Sequence, residues 1–103
     1  MKHIIVGLLL IISFVVFRPA AYDVVGTSME PTISSGDTVI IARGIYKEGD
    51  IIVFYWPEYD QRVIHRIHAI DEDGYTAWGD NNPIPDDIVI TDCLIIGKML
   101  LKF

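Results

Sequence analysis

An uncharged apolar run near the N-terminus divides this chain into two unlike parts. Residues 4–17, fourteen in all, contain no charged side chain and are interrupted only by Gly7 and Ser13. As a helix, this run would span about 21 Å, less than the ~30 Å hydrocarbon core of a bilayer. Three interpretations are therefore open: a membrane anchor lengthened by its flanks, a cleaved secretory signal, or a buried core helix.

The flanks of this run favour a retained anchor. Lys2 and Arg18 bracket it, and their long side chains can reach the two membrane interfaces. We therefore predict an uncleaved anchor over residues 1–22 and a single domain over residues 23–103. The small residues at 19–21 would also suit a signal cleavage site, which keeps the second interpretation open. The positive N-terminal end favours a cytoplasmic N-terminus, with the domain on the other side of the membrane.

The remaining 81 residues are few and acidic. The chain has a net charge of −6, and without Lys2 and Arg18 the domain has −8. Such a domain repels polyphosphate, which argues against a nucleic-acid partner. A domain of this size buries only about 60–65% of its unfolded surface, so its core is small. Cys93 is the only cysteine, so no internal disulfide can form. We expect its side chain to be buried in a strand.

Beyond residue 22 the pattern consists of short segments rich in β-branched and aromatic residues, separated by turn signals. Strands spaced about 8–12 residues apart in this way are typical of an antiparallel sheet or barrel. We therefore predict a mainly β fold, a small antiparallel sheet or barrel. The predicted strands cover residues 38–42, 51–56, 62–70, 75–78, 88–90 and 94–101.

Ser28 lies in a turn-like segment, GTSMEPT, shortly after the apolar run. A serine hydroxyl is a weak nucleophile unless a base and an orienting carboxylate assist it. The third predicted strand offers His65 as the base, and alternation places His68 on the opposite face. The polar loop after residue 78 offers Asp80 or Asp86 as the carboxylate. These residues indicate a hydrolase that works near a membrane.

Four segments occur in the order and approximate spacing of the conserved boxes of type I signal peptidases. They read SMEPT at 28–32, GDIIVF at 49–54, VIHRI at 63–67 and GDNN at 79–82. The chain resembles this family over residues 25–103, and IGKM at 96–99 is similar to its closing strand. Histidine before arginine in the third box is similar to the archaeal and endoplasmic-reticulum branch, where the eubacterial branch has lysine.

The resemblance implies a membrane-bound serine endopeptidase that removes N-terminal signal peptides by cutting after small residues. By position, Ser28 matches the nucleophile, His65 the general base and Asp86 the orienting acid. Asp80 matches the aspartate of the GDNN box and is the alternative orienting acid. Some relatives use a serine hydroxyl two residues before the nucleophile to bind the oxyanion, but this chain has Gly26 there. No cofactor or metal is expected.

The resemblance also implies the setting of the protein. We expect a single-pass protein of the cell membrane or an endoplasmic-reticulum-type membrane, with the catalytic domain on the extracytoplasmic side. Its expected partners are preprotein signal peptides, membrane lipid and accessory subunits. The alternative function is a non-catalytic membrane-tethered β module, or an inactive subunit of a signal-peptidase complex. A self-cleaving repressor-type peptidase is a third hypothesis, but position 65 is not lysine and no DNA-binding domain is recognisable.

Overall fold

The computed structural model describes residues 19–103, which form one six-stranded sheet. Short 3₁₀ turns at Pro57–Tyr59 and Asp92–Leu94 are the helical elements of this part of the chain. The strands are β1 (Ala20–Asp23), β2 (Thr38–Ala42), β3 (Ile51–Trp56), β4 (Gln61–Ile70), β5 (Tyr75–Trp78) and β6 (Ile95–Lys102).

The order of strands across the sheet is β1-β2-β6-β3-β4-β5, and every neighbouring pair is antiparallel. This confirms the predicted mainly β, antiparallel fold. The predicted strands at 38–42, 51–56 and 75–78 have the observed bounds, and β4 begins one residue earlier than predicted. Because β6 lies between β2 and β3, residues 43–50 must cross over from one side of β6 to the other.

β1 has no counterpart among the strands predicted from the sequence. Its pairing with β2 runs from Ala20 opposite Ile41 to Asp23 opposite Thr38. The predicted boundary after residue 22 therefore falls inside a strand. The two alanines follow Arg18 and Pro19 and do not alternate with polar residues, so the sequence has no period-two signal there. The predicted anchor lies almost entirely outside the described residues. Within residues 19–103 no helix is long and apolar enough to cross a bilayer.

Two smaller predictions are wrong. Residues 88–90 do not form a strand, because only an isolated bridge joins Ile90 to Tyr75. Pro83 and Pro85 in the preceding loop lack a backbone N–H and limit regular pairing there. Cys93 is exposed and lies in the second 3₁₀ turn rather than buried in a strand.

The core has two clusters, one on each face of β3. All four residues from Ile51 to Phe54 are buried, which is typical of a central strand packed on both faces. Loops cover both faces, since the described chain has no α-helix. The first cluster contains Val24, Met29, Ile33, Val39, Ile41, Ile51 and Val53. The second contains Ile52, Phe54, Ile67, Ala77, Ile90 and Ile95.

Candidate active site

Ser28 lies in the loop of residues 24–37, which joins β1 to β2 and is here called the Ser28 loop. Its base is closed by a backbone hydrogen bond of 2.8 Å from the Gly36 N–H to the Val24 carbonyl. Met29 and Ile33, 1% and 0% exposed, hold the loop against the first core cluster. Burial of the next side chain, Met29, fixes the position of the half-buried Ser28.

His65 lies midway along β4, where it pairs with Ile52 and is only 6% exposed. Its Nε2 atom is 3.1 Å from the Ser28 Oγ atom. Its Nδ1 atom is 2.5 Å from the Asp86 Oδ2 atom. Asp86 is in turn held by a 2.9 Å hydrogen bond from its N–H to the Ala77 carbonyl. The structure thus brings a hydroxyl, an imidazole and a carboxylate into one hydrogen-bonded chain.

The order of groups in this chain determines which ring nitrogen carries the proton. An ionised carboxylate can only accept hydrogen bonds, so Nδ1 of His65 donates to Asp86. Nε2 is then the acceptor for the Ser28 hydroxyl proton. The His65 and Asp86 side chains are each about 7% exposed, so little water competes for this contact. The arrangement can move a proton from Ser28 to His65.

Asp80, the alternative orienting acid, bonds to Arg66 and Thr32 rather than to His65. It accepts two hydrogen bonds of 2.9 Å from the Arg66 guanidinium and one of 2.6 Å from the Thr32 hydroxyl. The Arg66 hydrogen bonds hold the pKa of the Asp80 carboxyl below its usual range, although partial burial opposes this. The same hydrogen bonds raise the pKa of Arg66. Asp80 therefore joins the Ser28 loop to β4 as a fixed ionised group.

The turn at residues 79–82 packs directly against the Ser28 loop, a role that the residue pattern alone did not reveal. The Asn81 N–H donates to the Ser28 carbonyl at 2.8 Å, and the Asn81 side-chain amide donates to the Thr27 carbonyl at 3.0 Å. A Cβ atom on Gly79 would lie 2.3 Å from the Ser28 carbonyl oxygen, so a side chain there would displace the loop. The only sequence signal for this contact was the GDNN box.

The second histidine of β4 has different surroundings. His68 stacks on Trp78, with ring centroids 3.6 Å apart and the planes 4° from parallel. Among the described residues its Nε2 atom has no hydrogen-bond partner. The prediction that His65 and His68 serve different purposes agrees with this placement.

A cleft of about 890 Å³ extends away from Ser28 and His65. One wall is the segment from β1 into the Ser28 loop, and the other is the first half of β4. β5 pairs with β4 only from Arg66 onward. In the described structure the earlier residues of β4 therefore have no partner strand along this edge. The cleft is lined by Tyr22, Asp23, Val24, Val25, Ser28, Val39, Val53, Tyr55, Asp60, Gln61, Arg62, Val63, Ile64 and His65. In the part of the chain from residue 19 onward, no cluster of three or more His, Cys, Asp or Glu residues could hold a metal ion.

A serine, a histidine and an aspartate in this order form the arrangement of serine hydrolases. The family model described as "Signal peptidase, peptidase S26" matches residues 1–81. This is most of the chain, which therefore belongs to that family. Ser28, His65 and Asp80 lie inside the matched range, whereas the contact of Asp86 with His65 is seen in the structure alone. No curated protein and no solved structure matches this chain.

Proposed function

We propose that this protein is a membrane-bound serine endopeptidase that removes N-terminal signal peptides from preproteins by cutting after small residues. Family membership supports signal peptidase function in general and suggests a serine peptidase. The observation that carries the proposal is the hydrogen-bonded chain from Ser28 through His65 to Asp86, at one end of an open cleft. Histidine rather than lysine as the base supports assignment to the archaeal and endoplasmic-reticulum branch.

The proposed reaction begins when Ser28 attacks the scissile carbonyl. His65 takes the hydroxyl proton on Nε2 as the new C–O bond forms, and Asp86 stabilises the resulting imidazolium. His65 then gives that proton to the departing amine as the C–N bond breaks. The signal peptide stays on Ser28 as an ester, and the mature protein leaves with a free amine. Water, activated by the same imidazole, hydrolyses the ester and restores Ser28.

The developing oxyanion needs hydrogen-bond donors that are already in place. One such donor typically lowers the barrier by about 3–4 kcal/mol. The Ser28 N–H is the first candidate, because it donates no backbone hydrogen bond within residues 19–103. Gly26 has no hydroxyl to act as a second donor.

The cleft suits an extended peptide. The unpaired edge of β4 offers backbone groups to an added strand, which is a common mode of peptide recognition. Three buried valines, Val24, Val39 and Val53, line the cleft together with polar side chains. These valines offer an apolar surface to the small side chains that precede a signal-peptide cut. We therefore place the part of the substrate before the scissile bond in this cleft.

A retained anchor is the proposed form of the N-terminus. The small residues that could mark a cleavage site, Ala20 and Ala21, pair with β2. Because a peptidase must bind its substrate in an extended form with free edges, cleavage there would require β1 to leave the sheet. This pairing supports a retained N-terminus, and the positive N-terminal end is the reason for proposing a single-pass protein with its catalytic domain on the extracytoplasmic side. Accessory subunits remain a prediction of the family resemblance.

The alternative function is a non-catalytic membrane module. A wide separation between the Ser28 Oγ and His65 Nε2 atoms would favour it. The 3.1 Å distance between Oγ and Nε2 supports the enzyme instead. The test is to incubate the full chain, in lipid vesicles, with a preprotein that has alanine at the last position before the cut. N-terminal sequencing should find the mature start immediately after that alanine. Binding of the preprotein without any cleavage would favour the non-catalytic module.

A further inference from the structure

Asn81 hydrogen-bonds to both peptide units that adjoin Ser28. Its side-chain amide donates to the Thr27 carbonyl at 3.0 Å, and its backbone N–H donates to the Ser28 carbonyl at 2.8 Å. The Thr27 carbonyl belongs to the peptide unit before Ser28, and the Ser28 carbonyl belongs to the unit after it. Because each peptide unit is planar, holding both carbonyls restrains both backbone dihedral angles of Ser28.

The bond to the Thr27 carbonyl also determines where the Ser28 N–H points. The peptide bond between Thr27 and Ser28 is trans, so its carbonyl and its N–H point in opposite directions. Since Asn81 holds that carbonyl, the Ser28 N–H points away from the Asn81 side chain. This N–H donates no backbone hydrogen bond within residues 19–103. It is therefore available to a group bound at Ser28.

The side-chain bond of Asn81 can be removed without dismantling the loop. The Thr27 carbonyl also accepts a local hydrogen bond of 3.1 Å from the Glu30 N–H, which does not depend on Asn81. The bond from the Asn81 N–H to the Ser28 carbonyl needs only the backbone. Asn81 does not line the cleft. A substitution at this position should thus loosen one peptide unit and leave the surface that binds the substrate unchanged.

We propose that Asn81 is a positioning residue that orients the Ser28 N–H toward the oxyanion formed during acyl transfer. This inference rests on the proposed function and adds a residue that acts on the rate of the reaction. A donor stabilises an oxyanion effectively only if it is oriented before the charge develops. Asn81 provides that orientation from the opposite side of the same peptide unit, through carbonyls and not through the reacting atoms.

The first measurement separates kcat from KM for preprotein cleavage by the full chain in lipid vesicles. Asn81→Ala should lower kcat about tenfold, less than the ~10²- to 10³-fold loss when an oxyanion donor is removed outright. KM should stay within about twofold, because the cleft is unchanged. Asn81→Asp should lower kcat further, because an ionised carboxylate cannot donate a hydrogen bond and repels the Thr27 carbonyl.

The second measurement compares two inhibitors that share one peptide sequence ending in alanine. In the first, an aldehyde replaces the terminal carboxyl group. The Ser28 Oγ atom adds to its carbonyl carbon, the hydroxyl proton passes to His65, and the former carbonyl oxygen takes the place of the oxyanion. In the second, an alcohol replaces the carboxyl group, so no such bond can form. Asn81→Ala should weaken inhibition by the aldehyde about tenfold and leave inhibition by the alcohol unchanged.

Asn82→Ala is the matched control, because Asn82 lies in the same turn and its side chain makes no hydrogen bond with the Ser28 loop in the described structure. It should keep the wild-type kcat and aldehyde affinity. Asn81→Asp replaces Asn81→Ala if circular dichroism shows that the alanine variant is unfolded. A wild-type kcat in a folded Asn81 variant, or an equal loss of affinity for aldehyde and alcohol, overturns the inference and leaves the proposed function intact. A wild-type chain that cleaves no preprotein overturns both.

Discussion

Two neighbouring three-residue clusters each contain a hydroxyl, a basic nitrogen group and a carboxylate, but hydrogen-bonded in a different order. In Ser28, His65 and Asp86 the basic group lies between the hydroxyl and the carboxylate. In the second cluster the carboxylate of Asp80 lies between the hydroxyl of Thr32 and the guanidinium of Arg66. Neighbouring residues of β4, His65 and Arg66, supply the two cationic or basic groups.

The order decides what each cluster can do. An imidazole between a hydroxyl and a carboxylate can accept the hydroxyl proton and remain stabilised. A guanidinium stays protonated in proteins, so the Asp80 cluster cannot accept a proton from Thr32 in the same way. It can only hold the Ser28 loop, β4 and the 79–82 turn together. We therefore assign proton transfer to the first cluster and positioning to the second.

The largest expected difference is between the two histidines of β4. His65→Ala should lower kcat by about 10⁴- to 10⁶-fold, because the serine loses its base. His68→Ala should change kcat by no more than about threefold, because this ring contacts Trp78 and not Ser28. Cleavage of one preprotein by both variants at equal concentration measures the contrast. Comparable losses in the two variants would contradict the division of roles.

The next largest effect concerns Asp86. In Asp86→Asn an amide replaces the carboxylate and can donate to Nδ1, so His65 adopts the wrong tautomer. We expect a loss of about 10⁴-fold in kcat with little change in thermal stability. Single-turnover cleavage and thermal unfolding of the same preparation measure both quantities. A nearly active Asp86→Asn enzyme would remove Asp86 from the mechanism.

Asp80→Asn should act mainly on stability. The substitution leaves Arg66 without its charged partner and weakens the bond to Thr32, so we expect a loss of about 1–3 kcal/mol in the free energy of unfolding. Denaturant unfolding in detergent measures it. The matched control is Asp73→Asn, since the Asp73 side chain is exposed and should be neutral. An unchanged stability of Asp80→Asn would show that the cluster does not hold the loop.

The smallest expected effect is the pH dependence of the stabilisation that Asp80 provides. The pKa of Asp80 is lower in the folded protein than the value of about 3.9 in an unfolded chain. The stabilisation is therefore fully present above about pH 4 and is lost as the pH falls through the folded pKa. The difference in unfolding free energy between wild type and Asp80→Asn should shrink below pH 4. If this difference in unfolding free energy stayed constant from pH 7 to pH 3, the charge on Asp80 would not be its cause.

The sequence predicted much of the fold because strands and turns alternate clearly after residue 37. Five of the six strands, β2 to β6, lie within one residue of their predicted bounds, including β3 with its run of buried residues. β1 was not predicted because its two alanines do not alternate with polar residues, and its pairing with β2 is a tertiary contact. The short segment at 88–90 had strand-like residues but only one bridge to β5.

The site was predicted in part, through strand alternation and a family resemblance. Alternation separated His65 from His68, and the resemblance proposed Asp86 or Asp80 as the carboxylate. The sequence could not choose by geometry between two aspartates in one irregular loop, because loop path depends on contacts such as that of Asp86 with Ala77. The packing of Gly79 against Ser28 is also a tertiary contact.

The most direct test of the account compares two serines of the same loop. Ser28 is the proposed nucleophile, whereas Ser34 is exposed and its backbone N–H donates to the Asp37 carboxylate. The measurement is the rate of preprotein cleavage by Ser28→Ala and Ser34→Ala in lipid vesicles. We predict no detectable cleavage by Ser28→Ala and a wild-type rate for Ser34→Ala. Equal cleavage by Ser28→Ala and wild type would contradict the account.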